Sequence, residues 1–167
     1  MTRIAQRYVL EREVEAGRTF RAFVARDEVS DAPVLVRLLL PGPADPEAPA
    51  RFRRGELAAA EMVHSNVARV YDVGEDELEG RRVSYAVTEY PPGGSLVDLM
   101  EERGRLPEET LAKVGAGVAA GLAHAHERGV VHGSVSPENV LLDERGHPKR
   151  ASFGAARTSG ASPSPRA

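Results

Sequence analysis

Residues 130–142 constrain this chain more than any other stretch. Val130 and Val131 form an apolar pair. Residues 132–139 form a polar loop closed by Pro137-Glu138-Asn139, and Val140-Leu141-Leu142 is a second apolar run ending at Asp143. Such a segment reads as strand, tight loop, strand, with the loop holding its polar side chains at the mouth of a cleft.

The rest of the chain supplies sheet before this segment and helix immediately ahead of it. Tyr8-Val9-Leu10 opens a strand, residues 15–19 make a turn around Gly17, and residues 20–25 return. Val34-Leu35-Val36-Arg37-Leu38-Leu39-Leu40 is β-branched and leucine-rich, long enough for a buried strand. A Pro-rich connector (41–49) leads to a helix over 51–62, with Phe52, Ala59 and Met62 on the face that meets the sheet. Residues 64–66 turn, 67–73 form a strand, 75–82 a polar loop, and 83–88 alternate as a hairpin partner. Ser95 has the spacing of a capping box with Asp98 and starts a short helix. Pro107 opens a longer helix over 107–128, from Pro107 to Arg128, with Leu111, Val114, Val118, Leu122 and Ala125 as its apolar stripe and Gly129 as its stop. His124 and His126 stand two apart on that helix and point in different directions, so they read as packing or surface histidines rather than a metal pair.

Composition narrows the classes further. At 41% hydrophobic and 28% charged, the chain suits one globular domain or two small lobes. A net charge of -3 argues against a nucleic-acid partner, and no apolar run reaches membrane-span length. The absence of cysteine removes disulfides and thiolate metal sites and suits a cytoplasmic protein. Lysine occurs only at 113 and 149.

His132, Pro137 and Asn139 have the spacing of the catalytic loop of protein kinases, and the chain resembles that family from Tyr8 to Arg157. Glu89-Tyr90-Pro91-Pro92-Gly93-Gly94 is similar to the family hinge, with Thr88 at the position guarding the back of the adenine pocket. Ser152-Phe153-Gly154 stands where the family has Asp-Phe-Gly. The resemblance implies an α+β, protein-kinase-like fold: an antiparallel β N-lobe with one helix, then the first, helical part of a C-lobe. It divides the chain into an N-terminal extension (1–7), an N-lobe (8–90), a partial C-lobe (91–157) and a disordered Ser/Pro tail (158–167).

The resemblance also exposes departures. Ser134 replaces the base aspartate, and Ser152 replaces the magnesium aspartate. Of the three phosphate-loop glycines only Gly17 remains, with Glu15 and Phe20 at the other places. Arg37 stands at the strand lysine, as a phosphate contact or simply a charged strand-end residue. The helix glutamate falls on Gly55, one residue short of Glu56, and a shift of register by one would restore it.

Positioning and charge neutralisation carry phosphoryl transfer, and these losses touch each of them. The expectation is therefore a pseudokinase acting as a regulatory or partner-binding module, its partner an active kinase or signalling protein. An active or weakly active serine/threonine kinase is the alternative. Candidate site positions are His132, Ser134, Asn139 and Ser152 for catalysis, with Asn139 and Ser152 also at the metal positions. Gly17, Arg37, Thr88, Glu89, Tyr90 and Asn139 are the positions for nucleotide, with ATP held weakly and without need of magnesium. An uncovered stripe on the helix over 107–128 would favour self-association.

Overall fold

The structure, a computed structural model, describes residues 1–40, 42–133 and 135–150, and the backbone of 157–158. Ser134, Ser152, Phe153, Gly154 and the tail beyond Thr158 lie outside the described residues.

A six-stranded antiparallel sheet dominates the N-terminal half, in the order β1-β2-β3-β4-β6-β5. Its strands are β1 (Arg3–Ile4), β2 (Tyr8–Ala16), β3 (Phe20–Asp27), β4 (Ala32–Leu39), β5 (Val70–Leu78) and β6 (Arg81–Glu89). The apolar run around Val36 becomes the central strand β4, paired on both sides, because its residues from Val34 on are all buried. Ile4, Tyr8, Val36, Leu38, Val83 and Val87 belong to the main core of this sheet.

Helix α1 (Ala48–Ala60) crosses the sheet and seats Phe52 against Leu39 and Ala86. Burying that ring contributes roughly 1.5–3 kcal/mol. The helix begins three residues before the expected start, because Pro49 fits the first turn, where an amide would have no partner.

The stretch 75–82, expected as a polar loop, is instead strand on both sides of a turn at Glu79-Gly80. β5 is the edge of the sheet, so its acids can point to solvent; Glu77 lies opposite Arg82, and Arg82 Nη2 is 2.5 Å from Glu75 Oε2.

The second half is organised around α3 (Glu108–Glu127), after the short α2 (Leu96–Arg103). The capping box at α2 forms as expected: Ser95 Oγ accepts from Asp98 N at 3.1 Å, and Asp98 Oδ2 accepts from Ser95 N at 2.9 Å. β7 (Val130–Val131), β8 (Val140–Leu142), β9 (Pro148–Arg150) and β10 (Arg157–Thr158) make two small hairpin-like sheets, β8 with β9 and β7 with β10.

The apolar stripe of α3 is largely covered, contrary to the expectation. Val114 and Val118 pack with Leu96, Leu106, Val140 and Leu142, and Ala125 packs with Met62, Val67 and Val130. Short strands folded back by the turn at Asp143–Gly146 supply that cover. Leu111 stays 49% exposed, and Ala112, Gly115, Ala116, Ala119, Ala120 and Ala123 form an exposed, uncharged face beside it.

The loop 64–66 rests on α3. Gly121 lets it approach, since a Cβ there would lie 2.5 Å from the Asn66 carbonyl oxygen. Asn66 Nδ2 then donates to Pro148 O at 2.8 Å. The His64 and His124 rings sit 4.7 Å apart, and burial, then Arg128 and His64, holds the His124 imidazole below its ordinary pKa.

At the far end of the sheet, Asp27 is buried and accepts from Arg7 Nε and Nη2 (2.6 and 2.7 Å), Val29 N and Ser30 Oγ. These donors, Arg7 first, hold its carboxyl well below the ordinary 3.8. A depressed carboxylate stabilises the fold above its unfolded pKa and loses that contribution as pH falls through its folded value. Asp27→Asn should therefore flatten the acid limb of a thermal melt series below roughly pH 4, with little change in its shape above roughly pH 6.

Candidate functional site

A narrow cleft, with room of about 50 Å³ for water-sized molecules, lies between the sheet and the helical half. Val14, Glu15, Ala22, Leu35 and Arg37 come from the sheet side; Ser95, Asp98, Glu138, Asn139 and Leu141 come from the other, with Tyr90 in the connector. Ala22 and Leu35 above, Leu141 below and Tyr90 belong to one apolar cluster, so the inner end of the cleft is a slot between aliphatic walls.

The connector from β6 is stapled to the floor by main-chain bonds. Gly93 N donates to Leu142 O at 3.0 Å, and Leu142 N donates to Gly94 O at 2.8 Å. Gly93 is needed there, because a Cβ would meet Leu142 O at 2.5 Å.

The deepest polar feature is an ion pair. Arg37 Nη1 donates to Glu56 Oε1 at 2.9 Å; the Arg37 side chain is 8% exposed and that of Glu56 is fully buried. The Phe20 ring lies 5.3 Å from the guanidinium carbon, and Phe20 in turn meets Phe52 at 6.0 Å. A buried strand residue thus meets the acid of the crossing helix beneath an aromatic cover. Arg37 is not a strand-end charge, and the helix acid is Glu56 rather than the position of Gly55.

A sheet with one crossing helix, a stapled connector, a strand cation paired to a helix acid, and the His132–Asn139 loop below them compose the cleft of one family. Residues 11–166 match the protein kinase domain. The chain belongs to the protein kinase family. It is 36% identical over 160 residues to a probable serine/threonine-protein kinase of Streptomyces coelicolor, covering 95% of this chain and 24% of that kinase. Against the kinase PknL of Mycobacterium tuberculosis it is 35% identical over 152 residues, covering 90% of this chain and 37% of the relative. Against PrkC of Bacillus subtilis the figures are 31% over 155 residues, 92% and 23%. The chain therefore spans between about a quarter and somewhat more than a third of the length of these kinases.

Within this kinase frame the candidate residues take different places. Arg37, Tyr90 and Asn139 line the cleft. Asn139 ends a 3₁₀ turn (Pro137–Asn139), with its Nδ2 donating to Ser136 Oγ at 3.2 Å. Glu89 faces away from the lining set: its Oε1 accepts from Lys149 Nζ at 3.1 Å and from Arg69 N at 2.9 Å. Thr88 is buried opposite Leu35, and its Oγ1 has no hydrogen-bond partner among the described residues. His132 is buried in the loop. Gly17 lies outside the lining and closes the β2–β3 turn, donating from N to Phe20 O at 2.8 Å. Ser134 and Ser152 fall outside the described residues.

Two residues were only partly legible in the sequence. Glu56 takes its place through the one-residue shift of register, since it lies four after Phe52 and three before Ala59, on the stripe that faces the sheet. Leu35 stands at the alanine of the Val-Ala-x-Lys strand and adds bulk to the roof of the slot, a signal present in the sequence but hidden inside an apolar run.

Proposed function

We propose that this kinase-family domain works as a regulatory or partner-binding module without phosphoryl transfer. The observation carrying the proposal is the pair Ser134 and Ser152, serines where the family places two carboxylates. Arg37 adds a guanidinium under the Phe20 ring at the place where the family has a lysine. A serine hydroxyl neither takes a substrate proton at neutral pH nor anchors magnesium as a carboxylate does. The partner would be an active kinase or another signalling protein in the cytoplasm. The exposed alanine-rich face of α3 is the surface we assign to it or to a second copy of the chain.

The alternative is weak serine/threonine kinase activity, and one observation favours it. The strand-to-helix ion pair, which active kinases need in place, is formed here with arginine for lysine. Incubation with labelled ATP and magnesium, alone and with a basic protein substrate, separates the two. The expected result is no incorporation above background. Label that disappears in Asn139→Ala would establish the alternative.

A further inference from the structure

The loop between α1 and β5 meets α3 through two histidines. His64 Nδ1 accepts from Asn66 N at 3.0 Å, and His124 Nδ1 accepts from Arg128 Nη1 at 3.1 Å, with the two rings 4.7 Å apart. A backbone amide and a guanidinium can only donate, so the proton of each neutral ring sits on Nε2. His124 Nε2 is buried and has no hydrogen-bond partner among the described residues. A second proton must therefore go onto Nδ1, where it meets the Asn66 N–H in one ring and the Arg128 guanidinium in the other. Its arrival breaks the bond already there, and in His124 it sets a half-buried cation against Arg128. Burial, Arg128 and His64 oppose that charge, while Glu127 on α3 favours it. Of the short strands packed on α3, β9 turns Lys149 toward Glu89, and β7 carries no charge.

We infer that the His64–His124 contact is an acid-released latch: with both rings neutral it seats the 64–66 loop on α3, and protonation lifts the loop off. The loop follows α1, whose Glu56 holds Arg37, and Asn66 Nδ2 ties it to Pro148 O in the helical half. Release therefore loosens the end of α1 from that half, whereas the main-chain tie from Gly93 to Leu142 contains no titratable group. A histidine held below its ordinary pKa stabilises the fold above the unfolded value near 6.5, and that contribution is lost as pH falls from there through the folded value. The window lies above the acid limb expected from Asp27.

Amide exchange of the full chain at about pH 7 and about pH 5.5, corrected for the intrinsic rate, tests this. The amides of Asn66 and Val67, which donate to His64 Nδ1 and His64 O, should lose protection at least about threefold, while Val36 in the central strand holds its own. The His124 ring should titrate below about 6.5 by NMR. His124→Gln fills the place without titrating, and His64→Asn keeps an acceptor for the Asn66 amide, so the double variant should show no such loss. His126→Gln, on an exposed ring of the same helix, should leave the loss as it is. Level protection at Asn66 and Val67 in the parent overturns the inference, as does a loss shared equally by Val36. So does a His124 ring that titrates at or above the ordinary value, a loss that persists in the double variant, or one that disappears in His126→Gln.

Discussion

Replacing Arg37 by methionine should destabilise the protein by about 3–5 kcal/mol. The partner left behind, Glu56, is fully buried on the sheet-facing side of α1, and its Oε1 accepts from Arg37 at 2.9 Å. Losing the guanidinium leaves that charge without its counter-ion in a site walled by Phe52 and the sheet. For a domain of this size the loss corresponds to a fall in Tm of roughly 6–20 °C. The double replacement Arg37→Met/Glu56→Leu removes both desolvation costs together and should recover most of the loss. If the single variant melts like the parent, the pair is not the internal tie described above. If the double variant is no better than the single, Arg37 acts through packing against Phe20 rather than through Glu56.

The second large effect is expected on α3. Gly121→Ala puts a methyl group 2.5 Å from the Asn66 carbonyl oxygen, a backbone atom that can yield only if the whole 64–66 loop shifts. Overpacking of this kind costs typically 1–3 kcal/mol, set against nearly 1 kcal/mol gained from alanine's helix propensity. The loop also carries the His64–His124 contact and the Asn66 bond to Pro148, so its displacement should weaken both. The net expectation is a loss of up to about 2 kcal/mol in chemical denaturation. Gly115→Ala, on the open face of the same helix with nothing within 4 Å, should stabilise instead by roughly 0.5–1 kcal/mol. Opposite signs from the same substitution six residues apart would locate the loop's seat on α3. Equal signs would mean that the loop does not press on Gly121.

Much of this architecture was legible because its periodicities are unmixed. The run around Val36 has no polar interruption except Arg37, which suits a central strand, and the stripe from Val114 to Ala125 keeps helical spacing to its glycine stop. The capping box at Ser95 was readable because it is a local bond between neighbours in sequence. What escaped reading depends on contacts across the fold. β5 carries Asp72, Glu75, Asp76 and Glu77 and has the composition of a loop; only its place at the sheet edge makes a strand of it. The cover over α3 comes from Val140 and Leu142, whose return toward the helix is set by a turn rather than by any pattern within α3. Glu56 shows the same limit at the site. A motif aligned by residue identity passes over it by one position, whereas the helical face shared with Phe52 and Ala59 puts it opposite Arg37. Gly17, expected as the turn of the hairpin and as the remaining phosphate-loop glycine, closes that turn through its bond to Phe20.

The two amide-to-carbonyl bonds between Gly93, Gly94 and Leu142 have a mechanical consequence. They run from main chain to main chain, so the connector after β6 is tied to β8 by backbone alone, and among its residues a side chain added at Gly93 is what would disturb the tie. A guest wedged between Leu35 and Leu141 must therefore pull against this tie instead of swinging two bodies apart. Occupancy would be felt as tension along the backbone, and the amide protons of Gly93 and Leu142, exchanging faster as their bonds lengthen, are the gauge on which it can be read.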